Sequence, residues 1–344
     1  MDLAIVIVSA NDARWLEPCL ASVLARAGNI SLEIIVVDNA STDGTREVVE
    51  SSFPQARVVS SPNRGFAYGN NRGLEHTSAR YVLLLNPDTE ILQGTLQELI
   101  ATLDERPEMG LAGVRQIDAH DRLLPTIRRF PNAARALGEA LFSERWPLHP
   151  AWAGERVLAA RDYEREQPCD WTAGSFMLIR REALLSAGVL DERFFLYSEE
   201  TDLCLRIARA GWGIHHLPLM TIRHHAGKGG VRPALVAQDA LSRKLYARKH
   251  FSAPHRGLFL GAVGLRHLIR AAGARGLELG SSGAAASSET TARRRSAGLA
   301  LRTLLGRAEV PFIPTPPTAL GPVEKVAECD ADSASRREQD ALFV

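Results

Sequence analysis

Leu3–Ser9 is an unbroken apolar, β-branched run, and Glu33–Asp38, Arg57–Ser60 and Tyr81–Leu85 repeat the theme at shorter length. Runs this short without polar alternation predict strands buried on both faces of a sheet. Between the first two, Trp15, Leu16, Cys19, Leu20, Val23 and Leu24 recur at helical spacing. Asn39-Ala40-Ser41-Thr42-Asp43-Gly44 is a turn ending at a helix start, and Gly65–Thr77 reads as a helix after a loop. Strand alternating with helix predicts βαβ units, hence an α/β fold with a Rossmann-like, mostly parallel sheet covered by helices on both faces. The pattern lapses between 116 and 168, where prolines stand at 125, 131, 147, 150 and 168. That stretch reads as an excursion from the sheet that could cover a site. Order returns with a strand at Ser175–Ile179, a helix at Thr201–Ala210 and a strand at Gly213–Leu217.

Beyond residue 254 the character changes. Residues 255–310 carry nine arginines against three glutamates, whereas 311–344 are net acidic. On a helical wheel for 256–270, Arg256, Arg266, His267 and Arg270 share one arc, while Leu258, Leu265, Leu268 and Ile269 face the other way. That predicts an amphipathic extension over 255–280, which either meets an anionic membrane surface or packs on the main domain. Ser281–Ser288 is a small-residue linker, and the Pro-rich 311–322 with the acidic end reads as disordered. The expected organisation is therefore a domain over 1–254, a helical extension over 255–280, and a linker and tail over 281–344.

Composition narrows the classes. The chain has 344 residues with 41 basic and 40 acidic side chains, a net charge of +1, so no basic excess argues for nucleic acid. No apolar run reaches the roughly 18 residues that span a bilayer. Four scattered cysteines without C-x-x-C argue against a disulfide framework and for a reducing, cytoplasmic setting.

Ligands of open α/β sheets sit outside the carboxyl ends of the strands. Four polar clusters fall there: Ser9-Ala10-Asn11, Asp38-Asn39-Ala40-Ser41, Ser61-Pro62-Asn63-Arg64-Gly65 and Asn86-Pro87-Asp88. Each alone could be a turn or a helix cap. Together they mark one rim. Neither G-x-G-x-x-G nor G-x-x-x-x-G-K-[ST] occurs, so a dinucleotide fingerprint and a P-loop lack their glycines.

VIVSA–N, EIIVVDNASTDGT, SPNRGFAYGNNRG, LLLNPDTE, WTAGSFMLIRREAL, LDERFFLYSEETDLCLRIARAGW and HHAGKGG occur in that order. Over about residues 3–250 they resemble glycosyltransferase family 2, and within it the bacterial rhamnosyltransferase-like subgroup. The resemblance implies a GT-A fold, a nucleotide-diphosphate sugar donor (dTDP- or UDP-linked), Mg²⁺ or Mn²⁺, and inversion at the anomeric carbon. It implies a saccharide or lipid-linked saccharide acceptor in cell-envelope polysaccharide synthesis, handled in the cytoplasm or at the inner face of the membrane.

Site residues follow from that resemblance. Asp88 is the acidic metal ligand, with Asn86 where the family often has a second aspartate; its other reading is a cap on the helix near Gly94–Leu103. A histidine of the His224-His225 pair resembles the further metal or diphosphate contact, and His224 is preferred. Ser9, Asp38, Asn39, Ser41, Asn63, Arg64, Gly65, Asn70 and Asn86 belong to the nucleotide-sugar side, with Asp38 suited to accept from a uracil or thymine imide. Trp171, Thr172 and Gly174 resemble the acceptor border, Trp171 being either a sugar platform or packing. In Glu199-Glu200-Thr201-Asp202, three carboxylates within four residues repel one another, and a raised carboxyl pKa makes a better general base. Glu200 takes the base position, with Glu199 and Asp202 in support, unless Asp202 pairs with Arg206 on an exposed helix face. A nucleotidyltransferase is the rival enzyme, although Ala10–Trp15 lacks the basic Gly-rich loop it would need. A sugar-nucleotide-binding module without turnover is the rival of another class.

Overall fold

The computed structural model describes residues 1–142, 150, 152–225, 232–280 and 284–308, the side chains of 277–280 and 284–289 excepted. In chain order it contains β1 (Leu3–Ser9), α1 (Ala13–Ala25), β2 (Leu32–Asn39), α2 (Thr45–Ser52), β3 (Ala56–Ser61), α3 (Phe66–Leu74) and β4 (Tyr81–Leu85). Next come β5 (Thr89–Gln93), α4 (Leu96–Asp104), β6 (Met109–Ile117), β7 (Ile127–Arg128), α5 (Ala133–Leu141), β8 (Gln167–Pro168), β9 (Trp171–Thr172) and β10 (Phe176–Arg180). The chain continues through α6 (Arg181–Ala187), α7 (Glu199–Arg209), β11 (Gly213–His224), α8 (Pro233–His250), α9 (Ala253–Gly280) and α10 (Ala284–Leu304).

The main sheet runs β3-β2-β1-β4-β10-β6-β11-β5, with β8 on β11. Strands β1, β2, β3, β4, β6 and β11 point one way, and β5, β8 and β10 the other. All seven residues of β1 are buried, as a central parallel strand demands. The strand alternation splits them: Leu3, Ile5 and Ile7 join a core under α1, α2 and α4, while Val6 and Val8 join a core under α3, α6 and α7. Helix α3 reaches its strands closely because Gly69 and Gly73 stand where a β-carbon would collide with Val8 and Val6. Gly69 and Gly73 thus serve helix–sheet packing.

The sheet order steps from β1 to β2 and β3 on one side and to β4 on the other, so the strand order reverses at β1. The carboxyl ends of the parallel neighbours β1, β2 and β4 lie side by side there, the place where open α/β sheets form their ligand crevice. The excursion after β6 forms a small two-stranded ribbon in which β7 pairs with β9, Arg128 opposite Trp171.

Two expectations for the C-terminal part change. Residues 284–304 form helix α10, packed on α8 and α9, where a linker was expected. Alanines and α8/α9 contacts outweigh the weak serine-rich signal. In α9 the arc holding Arg266 and His267 faces inward with Phe259 and Val263, while Leu258, Leu268 and Ile269 are exposed. The amphipathic helix therefore exists with its faces reversed. The Pro-rich and acidic segment 311–344 lies outside the described residues. No helix among the described residues is long and apolar enough to cross a membrane.

Candidate active site

The crevice is built from strand ends whose loops tie to one another. Ser41 N donates to Asp38 Oδ1 (2.9 Å), Asn11 N to Ser41 Oγ (3.0 Å) and Thr42 N to Asn11 Oδ1 (2.7 Å). Asp38 is thereby held at the mouth of β2. Ser9 is fully buried at the end of β1, and its hydroxyl finds no partner among the described residues. Asn39 is buried and donates to the Gly65 carbonyl (3.3 Å), and Asn63 Oδ1 accepts from Gly65 N (3.3 Å). Arg64 lies over the Tyr68 ring at 4.7 Å. Asn70 is buried within α3 and donates to the Phe66 carbonyl (2.9 Å). Asp38, Ser41, Asn63 and Arg64 thus stay at the mouth, whereas Asn39 and Asn70 brace the loop from beneath. Gly65 has φ 101°, and a β-carbon there would strike the Phe195 carbonyl. Only glycine lets this loop pass so close to the chain leading into α7.

Asp88 follows β4. The cap of α4 is Thr95, which accepts from Glu98 N while Glu98 reaches back to Thr95 N, so Asp88 is free of that duty. Register brings the end of β11 to the start of β5, with His224 opposite Thr89. His224 Nε2 consequently lies 3.2 Å from Asp88 Oδ1 and 3.4 Å from Asn86 Nδ2. His225 turns elsewhere: its Nε2 meets Glu90 at 2.5 Å and its ring stacks on Trp15 at 4.4 Å. Burial works to raise the Asp88 pKa, but the bond and charge of His224 prevail and lower it, keeping the carboxylate ionised. Arg223 pairs with Asp121 (2.8 Å), and Lys228 lies outside the described residues.

Glu199 and Glu200 open α7. Tyr197 and Ser198 before them both take left-handed conformations, φ 70° and 68°, a strained pair that sets the helix start. Glu199 is buried; burial first, then repulsion from Glu200, push its carboxyl well above the ordinary value. Burial likewise raises Glu200, against the pull of Arg128. Each keeps one buried carboxylate oxygen unpartnered among the described residues.

Asp202 behaves differently. It is fully buried and meets Arg206 at 2.9 Å, Lys249 at 2.7 Å and His250 at 2.7 Å. The pairing with Arg206 is real, but the face is interior rather than exposed. Two cations and an imidazole engage this carboxylate, so it anchors α7 to the end of α8. Trp171 is buried, donates to the Arg129 carbonyl (2.9 Å) and is covered by Arg128 at 5.1 Å, which favours packing over an open platform. Thr172 is buried against Gly113. A β-carbon on Gly174 would lie 3.8 Å from Glu200 Cβ. Ser175 next to it accepts from Asn86 N (3.1 Å). Glu200 and the Asp88–His224 pair are therefore linked through Gly174, Ser175 and Asn86 along one rim.

Beyond Glu200 lies a cavity of about 400 Å³, lined by Arg128 and Trp171 on one side and by Tyr246, His267 and Arg270 of α8 and α9 on another. From sequence, His267 and Arg270 belong to an arc for a membrane surface or for packing rather than to the site, and Tyr246 gives no signal, because the inward turn of the α9 arc depends on acidic partners distant in sequence. Arg266 reaches Glu139 of α5 at 2.8 Å, and Arg243 reaches Glu155 at 2.7 Å.

The sequence profile described as Glycosyl transferase family 2 matches residues 4–185. An N-acetylglucosaminyl-diphospho-decaprenol L-rhamnosyltransferase of Mycobacterium tuberculosis is 29% identical over 289 residues, covering 78% of this chain and 92% of that protein. Rhamnosyltransferase WbbL of Escherichia coli is 24% identical over 233 residues, covering 64% of this chain and 83% of that protein. Among solved structures, a mannosyltransferase of Pyrobaculum calidifontis in complex with GDP-Man and Mn²⁺ superposes with a TM-score of 0.52 at 16% identity, covering 89% and 88% of the two chains. The architecture is the GT-A fold. With profile and fold in agreement, and more than half of its length inside the profile, this chain is a glycosyltransferase and belongs to glycosyl transferase family 2.

Proposed function

We propose that this enzyme moves rhamnose, with inversion, from a thymidine diphosphate donor to a lipid-linked saccharide at the inner face of the cell membrane. The observation carrying this reading is the pairing of Asp88 with His224 on the same rim as Glu200. The printed activities of the mycobacterial and Escherichia coli relatives support the sugar and the acceptor class.

In this reading Asp38 Oδ2 accepts from the imide of the base, since Oδ1 already holds Ser41 N. Glu200 accepts the proton of the acceptor hydroxyl as that oxygen bonds to the anomeric carbon. The bond to the donor diphosphate breaks on the opposite face, and the nucleoside diphosphate leaves with the electron pair. A base works best with its pKa near the working pH, and the upward shift of Glu200 is in that direction. Among the described residues no cluster of three metal-ligating side chains occurs. One carboxylate and one imidazole nevertheless fit Mg²⁺ or Mn²⁺, which commonly take few protein donors and complete their shell with substrate phosphates and water. Asp88 and His224 would hold that ion, and it would neutralise charge on the departing diphosphate.

The outward face of α9 gives the acceptor's lipid a surface. Leu258, Leu268 and Ile269 are 64%, 55% and 43% exposed, and Arg293–Arg295 are exposed on the adjoining α10. Apolar side chains flanked by arginines suit an anionic bilayer.

A thermal-shift panel of nucleotide diphosphate sugars with Mg²⁺ or Mn²⁺ tests the donor. Ligands that bind only the native state raise its melting temperature. The largest rise is expected with thymidine or uridine diphosphate sugars and a cation. An equal rise with guanosine diphosphate sugars, or none with any donor, would contradict the reading.

A further inference from the structure

The cavity beyond Glu200 carries more positive charge than the proton transfer needs. Six arginines and three carboxylates line it. Two of those carboxylates are spoken for: Glu155 by Arg243 at 2.7 Å, and Asp239 by Arg243 at 3.3 Å and Arg266 at 3.4 Å. Glu139, just behind, pairs with Arg266 at 2.8 Å. Arg128 and Arg270, by contrast, form no ion pair among the described residues, so two guanidinium charges of the wall stay unmatched.

Its polar atoms are also unsatisfied. His267 is 1% exposed, yet neither ring nitrogen has a partner among the described residues. The same holds for the Tyr246 hydroxyl, the Nε of Arg266 and the Nε of Arg128. Orphaned buried donors are costly unless something in the cavity accepts from them. Burial drives the His267 pKa down to about 4, so its ring is neutral and offers one N–H. Donors from two sides of one half-open space, two of them guanidinium groups without a carboxylate partner, match a ligand rich in acceptor oxygens and carrying negative charge.

We infer that this cavity is the subsite for the acceptor's own diphosphate, with Arg128, Arg270, Tyr246 and His267 binding the phosphate oxygens while the sugar they carry presents its hydroxyl to Glu200. The assignment rests on the proposed function above and extends it. A diphosphate diester supplies two charges and several acceptor oxygens, and 400 Å³ accommodates it together with a monosaccharide. The subsite is distinct from the donor's diphosphate, which is assigned to Asp88 and His224. It also makes α9 two-faced: its inner arc meets the diphosphate and its outer leucines meet the lipid.

Steady-state transfer by the full chain to three acceptors tests this. They are N-acetylglucosamine linked to a short alkyl chain through a diphosphate, through a monophosphate, or directly as a glycoside. Wild type should favour the diphosphate over the glycoside by at least about tenfold in kcat/KM, as one or two charge-assisted hydrogen bonds imply. Arg270→Gln, at a surface-accessible position, should lower that preference by about tenfold, chiefly through acceptor KM. Arg128→Gln should do the same, its folding checked by the donor's thermal shift. Equal use of all three acceptors by wild type, or an equal loss on all three in Arg270→Gln, would overturn the subsite while leaving the glycosyltransferase reading intact. A preference for the monophosphate would overturn it too. Absence of transfer to any acceptor from any donor would overturn the proposed donor and acceptor class, and this subsite with them.

Discussion

At the scale of single residues, three neighbouring carboxylates divide into two fates. Glu199 and Glu200 are pushed up by burial, whereas Asp202 is pulled down: burial opposes, but His250, Arg206 and Lys249 together outweigh it. Asp202→Ala should therefore destabilise the fold by about 3–5 kcal/mol in urea unfolding, because it leaves the partly buried Arg206 and Lys249 and the buried imidazole of His250 without their shared acceptor. A loss below about 1 kcal/mol would refute that anchoring role. The lowered pKa means that the Asp202 contribution is fully present above its ordinary 3.8 and fades as the pH falls through its folded value. Glu199 has the opposite sign. Its raised pKa makes stability greatest below the ordinary 4.5 and erodes it as the pH rises through the folded value. Glu199→Gln should then raise the melting temperature at pH 8 and have little effect at pH 4; an unchanged melting temperature at pH 8 would contradict the burial argument. Gly65→Ala should cost about 1–3 kcal/mol or more, since φ 101° with an extended ψ is a conformation reserved for glycine and the Phe195 carbonyl fills the space. Chemical denaturation of that variant would measure it, and a neutral result would mean that the loop can move aside.

At the scale of elements, the sequence disclosed what depends on local pattern. Leu3–Ser9 and Tyr81–Leu85 appear as strands at those bounds because nothing but a two-sided core suits such runs. The Asp88–His224 meeting was legible only as a family pattern; its physical cause is the β11–β5 register, which joins residues far apart in sequence. β5 itself was not anticipated, because Thr89–Gln93 is short and half polar. The faces of α9 were misassigned for a similar reason. A helical wheel ranks polarity, but Glu139 and Asp239 reward an inward arginine with a carboxylate, and Phe259 and Val263 on the same arc were the local hint. With the faces corrected, Leu258→Gln, Leu268→Gln and Ile269→Gln combined should reduce co-sedimentation with anionic liposomes at least about tenfold, at about 0.8 kcal/mol per methylene withdrawn from lipid, with little change in melting temperature. Unchanged pelleting would remove α9 from the membrane contact.

At the scale of the whole molecule, the sheet brings the two halves of the chemistry to one edge. β1, β2 and β4 deliver the nucleotide side, β11 delivers His224, and α7 delivers Glu200 through its strained entry. The pH dependence of transfer should reflect that entry. kcat/KM should rise with pH along a limb whose apparent pKa lies above the ordinary 4.5 of a glutamate, and that value belongs to the coupled Glu199–Glu200 pair. A limb at or below 4.5 would show that burial of Glu200 does not survive in the working enzyme.

The sharpest measurement is transfer of labelled sugar from the nucleotide donor to the diphosphate-linked acceptor by wild type and Glu200→Gln, with donor affinity measured in parallel. Loss of one positioned general base costs about 10²–10⁴ in rate. The expected result is a fall of that size in kcat with donor affinity unchanged within about threefold. Turnover by Glu200→Gln within a few-fold of wild type would contradict the assignment of Glu200 as the group that takes the acceptor's proton.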